Sequence, residues 1–144
     1  MKRAIIAVLT AVFVIQITCR LSDMVSDSNA VKWNGKRETN TIQREVKNIA
    51  IPGITQMVFT AGKTSQKVNI YNPEINDCDM IFTLNIDGKT IWKSQICQPG
   101  YGFYDIELSE KLNTGVYSGT LLYECFRDEK ALNSAALNVE IIVQ

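Results

Sequence analysis

No histidine occurs among the 144 residues. That absence excludes every Ser-His or Cys-His catalytic relay and every histidine-ligated metal site. An excess of charge of one sign is lacking as well, since 15 Lys and Arg balance 15 Asp and Glu. There is no basic surplus to neutralise a phosphate backbone and no acidic tail, so nucleic acid is not an expected partner. Glycine (8) and proline (3) are too scarce for a disordered or low-complexity chain. No cofactor is implied. What is present, 46% apolar and 21% charged residues, is ordinary for one globular domain.

The first thirty residues read as an address. Lys2 and Arg3 precede an apolar run from Ala4 to Ile17, broken only by Thr10 and Gln16. A positive start followed by an apolar run of about 7–15 residues is the pattern of a secretory signal. As a helix the run spans roughly 21 Å, short of the roughly 30 Å of a bilayer core. It has no polar stripe every 3.6 residues, which argues against a core helix. Its fate stays open at this level. Cys19 stands where a bacterial lipoprotein carries its lipid, although Gln16 and Thr18 depart from the small residues of a lipobox. Small-x-small cleavage triplets exist at Ser28-Asn29-Ala30 and Ser26-Asp27-Ser28, far from the end of the apolar run. An uncleaved anchor is the third outcome. Residues 31–48 are polar and aperiodic, which predicts a linker that holds a domain off the membrane. The expected organisation is a signal or anchor over 1–30, a linker over 31–48 and a folded domain over 49–144. Membrane association would run through the N-terminal segment only, with the domain exported and either anchored or secreted.

From Ile49 onward the period is two. Ile54–Ala61, Lys67–Tyr71, Met80–Ile86, Lys89–Ile96, Phe103–Leu108, Val116–Phe126 and Ala135–Val143 each alternate apolar and polar residues. Asp87-Gly88 between two such runs is a strong hairpin signal, because a type I′ turn needs positive φ at both positions. Asn72-Pro73 and Pro99-Gly100 break the chain elsewhere. Strand-like runs at this spacing, with no convincing helix between them, predict an all-β fold: a single antiparallel β-sandwich of immunoglobulin-like type. The stretch Leu112-Asn113-Thr114-Gly115-Val116-Tyr117 resembles a tyrosine corner, in which a phenol bonds back to nearby backbone.

Several stretches also resemble a family of small, mostly uncharacterised exported or membrane-anchored β-domain proteins of Firmicutes. They are Lys32-Trp33-Asn34-Gly35, Ile51-Pro52-Gly53 with Val58-Phe59-Thr60-Ala61, and Val68-Asn69-Ile70-Tyr71-Asn72-Pro73. Asn76-Asp77-Cys78, the run from Pro99 to Tyr104, and Glu124-Cys125-Phe126 continue it. The resemblance implies an export segment, a tether and one β domain, and implies no chemistry. Cys97 is not part of that pattern.

Few constellations can carry chemistry. Apart from Cys19 the cysteines are Cys78, Cys97 and Cys125. If the strand starting near Cys78 lies antiparallel to the strand ending near Cys125, the two meet at one end of the sandwich. A disulfide candidate and a pair of buried thiols are both compatible with that, and Cys97 is expected to stand apart. The loop Asn72–Asp79 collects five oxygen-bearing side chains, but it lacks the glycine and distal glutamate of a calcium loop, so a solvated turn and no metal are expected. Asp105 and Glu107 lie two apart on a strand with no cleft to make them a glycosidase pair. By parity Tyr104 belongs with Ile106 and Leu108 in the core, leaving Trp92, Tyr101 and Phe103 as a possible binding surface. The chain is thus expected to be a non-enzymatic extracytoplasmic interaction module at the cell surface, its partner a protein or another cell-envelope component. The alternative is a carbohydrate-binding module using those three aromatics.

Overall fold

The computed structural model describes residues 25–33 and 49–144. The apolar run, Cys19 and residues 34–48 of the expected linker lie outside the described residues. Eight strands carry the domain: β1 (Val31–Lys32), β2 (Gln56–Phe59), β3 (Ser65–Tyr71), β4 (Asp79–Ile86), β5 (Lys89–Lys93), β6 (Tyr101–Glu107), β7 (Gly115–Arg127) and β8 (Lys130–Val143). They form a three-stranded sheet, β1-β6-β3, and a five-stranded sheet, β2-β8-β7-β4-β5. Two sheets with apolar inner faces satisfy the basic packing requirement of a β-sandwich.

The alternation read from sequence sets the inner face. Met80, Phe82, Leu84 and Ile86 of β4 are all buried, as are Leu121, Tyr123 and Cys125 of β7 and Val139, Ile141 and Val143 of β8. Phe82 meets Tyr123 edge-on at 5.3 Å and Phe103 of the facing sheet at 6.1 Å. Edge-to-face geometry places the positive rim of one ring on the negative face of the next. The Tyr123 hydroxyl donates to the Pro52 carbonyl at 3.1 Å, which gives this buried phenol a polar partner.

Asp87 and Gly88 both take positive φ (50° and 76°), and β4 and β5 pair antiparallel around them. Tyr117 forms the corner that its sequence resembles: its hydroxyl donates to the Asn113 carbonyl at 2.8 Å.

Three expectations need correction. The sandwich is not wholly antiparallel, because β2 pairs parallel with β8, with Gln56 opposite Glu140 and Phe59 opposite Val143. Alternation fixes which face a residue occupies but not strand direction. A parallel neighbour needs a long connection, and almost the whole domain lies between these two strands. Secondly, β8 begins at Lys130, five residues earlier than its apolar alternation suggests, because a tight turn at Asp128 and Glu129 zips the hairpin beyond the apolar section. Thirdly, the linker expected from residue 31 begins instead with paired backbone. Val31 opposes Gly102 and Lys32 opposes Tyr101, so β1 is the edge strand of the smaller sheet.

Candidate functional site

The outer face of the three-stranded sheet carries a cluster of stacked aromatic rings. Trp33, immediately after β1, stacks on Tyr71 at 4.3 Å with 6° between planes, and on Tyr104 at 4.8 Å with 17°. The Trp33 backbone N–H donates to the Gly100 carbonyl at 2.8 Å, which fixes the chain where the indole departs. Beneath the rings, β6 has glycine at position 102. A Cβ there would lie 2.5 Å from the Tyr71 Cβ and 2.6 Å from the Ile70 carbonyl oxygen, so only glycine allows β3 this close approach. Lys67 and Asp105 form an exposed ion pair at 3.1 Å on the same sheet, a contact of little energetic weight.

Of the three aromatics expected at a binding surface, the structure keeps one outside. Tyr101 is 38% exposed at the start of β6. Phe103 is only 2% exposed and faces the core. Trp92 pairs across from Leu84 and is half-buried, edge-on to Phe103 at 5.1 Å. Tyr104, expected inside, is instead 38% exposed. The cause is a register shift between Lys67 and Ile70. Gln66 opposes Ile106 and Ile70 opposes Phe103, so four positions on β3 match three on β6. An odd step swaps the faces of the residues beyond it. Nothing in the β6 sequence alone marks that shift, and Trp33 was hidden by its place in a polar stretch.

The cysteines gather at the other sheet. Met80 of β4 opposes Cys125 of β7 on one flank, and on its other flank it exchanges backbone hydrogen bonds with Cys97 at 2.8 and 2.9 Å. Cys78 lies two residues before Met80, diagonal to Cys125. The two therefore lie near one end of adjacent antiparallel strands. They are nonetheless separate thiols with no bond between them. Cys97 is less remote than expected: it flanks the same methionine from the opposite side.

Burial pushes the thiols of Cys97 and Cys125 up to about 12, with the neighbouring Cys78 adding to the effect at Cys125. Cys78 is raised too, chiefly by burial. The thiolate is the nucleophile, so these groups are inert at neutral pH. Iodoacetamide at pH 8 should leave all three unmodified in the folded protein and label them only after denaturation. Rapid native labelling of Cys97 or Cys125 would show that they are not enclosed. The same shifts fix the alkaline limb of stability. Ionisation near the ordinary cysteine value of 9.0 favours the unfolded chain, whereas the folded thiols hold their protons to about 12. Stability contributed by these groups is complete below pH 9 and is lost as pH rises from there through 12. The buried Tyr123 phenol, also raised by burial, acts in the same direction.

The oxygen-rich loop after β3 turns inward. Asn72 is fully buried; its side-chain amide donates to the carbonyls of Cys78 (2.8 Å) and Cys97 (3.0 Å), and its oxygen accepts from the Asn76 amide (2.9 Å). Asn76 in turn holds the Ala50 backbone by both its N–H and its carbonyl, each at 2.8 Å. Asp77 pairs with Arg127. Among the described residues no group of three or more acidic or cysteine side chains is arranged to hold a metal. Asp105 is engaged by Lys67 and Glu107 by the Thr64 hydroxyl. The exposed edges of β2 and β3 border a shallow groove of about 440 Å³, lined by Ile54, Met57, Val58, Lys67, Val68 and Asn69 among others.

No family model, curated protein or solved structure matches the chain.

Proposed function

We propose that the chain is a non-enzymatic interaction module carried outside the cytoplasmic membrane. Its contact surface would be the aromatic face of the three-stranded sheet, and its partner a protein or another component of the cell envelope. The observation that carries this reading is the Trp33–Tyr71–Tyr104 stack, with Tyr101 exposed at the start of the same central strand. Amphipathic aromatics offer large contact area with little side-chain entropy to lose, which is why they concentrate at recognition surfaces. The apolar leader after Lys2-Arg3 supports export, and the stretches that resemble exported Firmicutes β-domain proteins point the same way. The immunoglobulin-like type is supported by the strand order β2-β8-β7-β4-β5 opposite β1-β6-β3 and by the Tyr117 corner.

Binding of the purified protein to isolated cell-envelope material should be saturable. The double variant Tyr71→Ser, Tyr104→Ser should weaken it at least about tenfold, roughly 1.4 kcal/mol. Val116→Ser, on the exposed face of the other sheet, should leave it unchanged. Equal loss in both variants would sink the assignment to the aromatic face. The parallel stacking of the rings favours a second reading, carbohydrate binding, in which sugar faces rest on aromatic planes. Binding on a glycan array that disappears in the same double variant would select it.

A further inference from the structure

Residues 25–33 are built into the domain. Ser26 bridges in parallel to Ile96. The Ile96 N–H donates to the Val25 carbonyl at 3.2 Å, and the Asp27 N–H donates back to the Ile96 carbonyl at 2.7 Å. The Asp27 carboxylate accepts from the Gln95 N–H at 2.6 Å and from the Asn29 N–H at 2.8 Å, so it closes a turn and ties that turn to the loop after β5. Ala30 packs against the core cluster, β1 extends the sheet, and Trp33 completes the aromatic stack.

This placement bears on how the exported chain is processed. Signal peptidases select small residues two positions apart. Between the end of the apolar run and Trp33, that pattern occurs only at Ser26-Asp27-Ser28 and Ser28-Asn29-Ala30. A cut after Ser28 or after Ala30 removes Val25, Ser26 and Asp27, and with them every hydrogen bond just described to Gln95 and Ile96. The two sites that suit the peptidase are therefore the two whose use dismantles an edge of the fold.

We infer that the N-terminal apolar segment is kept in the mature protein as its membrane attachment, and that the sandwich sits against the membrane surface. The inference rests on the export reading above. Seven residues, Thr18–Met24, separate the apolar run from the first residue held by the domain. Fully extended, they reach at most about 25 Å. The stretch 34–48 does not serve as a spacer, because both Trp33 before it and Ala50 just after it are bonded to the same domain.

Cells making the full chain provide the test. Intact-mass measurement of the protein extracted from membranes should give the full-length polypeptide, with the domain digested by protease added to whole cells. A mature chain beginning at Asn29 or Val31 would overturn the inference, and so would an acylated chain beginning at Cys19, since either has lost the apolar segment. Protection from protease in intact cells would instead sink the export reading. The mass and the accessibility therefore fail separately.

Discussion

Replacing Asn72 by alanine should cost about 2–4 kcal/mol, because a buried carbonyl left without a donor forfeits about 1–3 kcal/mol and the side chain's own packing goes with it. The two carbonyls are not equivalent. Cys97 keeps the Met80 N–H at 2.9 Å, whereas the Asn72 amide is the donor that holds the Cys78 carbonyl. The loss of the Asn72 oxygen also frees Asn76, which holds the Ala50 backbone by both its N–H and its carbonyl. Ala50 leads into β2, so the defect spreads from the β3–β4 connection to the edge of the larger sheet. Chemical denaturation of parent and variant measures the loss directly; a cost under 1 kcal/mol would mean that water reaches the Cys78 carbonyl. Asn72→Asp separates geometry from volume. At neutral pH a carboxylate would face the two carbonyls that now receive the amide, and this variant should be less stable than the alanine one. Burial raises the folded-state pKa of such a carboxyl, so its penalty is absent below the ordinary value of about 3.9 and grows as pH rises above it. Relative to the parent, the aspartate variant should therefore recover toward pH 4.

Asn72 also shows where sequence reasoning stops. Asn-Pro after an alternating run is a turn signal, and the turn is there. Nothing local indicates that the asparagine amide points inward to join three segments, since its partners Cys78, Cys97 and Asn76 are set by the tertiary arrangement. The strands themselves were legible. Seven alternating runs correspond to β2–β8, and the Met80, Phe82, Leu84, Ile86 set lies in the core as its parity requires. Asp87-Gly88 and Tyr117 were legible for the same reason, because each has a local conformational requirement written in its residue types. The Asp128-Glu129 turn was not. Both residues adopt positive φ (49° and 61°) without a glycine, so the pairing of β7 with β8 holds them in a conformation that their own preferences disfavour.

The aromatic face was the part of the candidate site least visible beforehand. Strand β1 is two residues long and carries no period; its existence depends on the edge offered by β6. Trp33 therefore read as an isolated aromatic in a polar stretch. Phe103 and Tyr104 exchanged places because the register shift opposite Lys67 and Ile70 breaks the alternation of β6: Phe103 and Ile106, three apart, are both buried, whereas Gln66 and Ile70 of β3, four apart, keep theirs. Only Tyr101 kept its expected exposure, although it shares parity with the buried Phe103. A single bulge thus moved the apparent binding surface from the inner face of the sandwich to the outer face of the smaller sheet.

The cysteine pair yields the other large expected effect. Refolding the reduced, denatured chain with oxidised glutathione should join Cys78 to Cys125. One thiolate attacks glutathione disulfide and releases one glutathione; the second thiolate then displaces the other, so two protein thiols are oxidised and one disulfide is reduced to two thiols. The exchange has to begin in the unfolded chain, because burial holds the folded thiols in their protonated form. Once made, the bond closes a loop of 47 positions and should add about 4 kcal/mol on the loop-entropy estimate. Non-reducing peptide mapping should find Cys78 linked to Cys125 and Cys97 free, and the denaturation midpoint should rise accordingly. Cys97→Ala should leave both results intact. A link that includes Cys97 would contradict its position across Met80 from Cys125. A bond that forms between the expected partners but lowers the midpoint would show that their diagonal placement suits two thiols and strains a disulfide. In that case the native form of this site is the pair of buried thiols, enclosed at the start of β4 and the end of β7 and stable because it stays reduced.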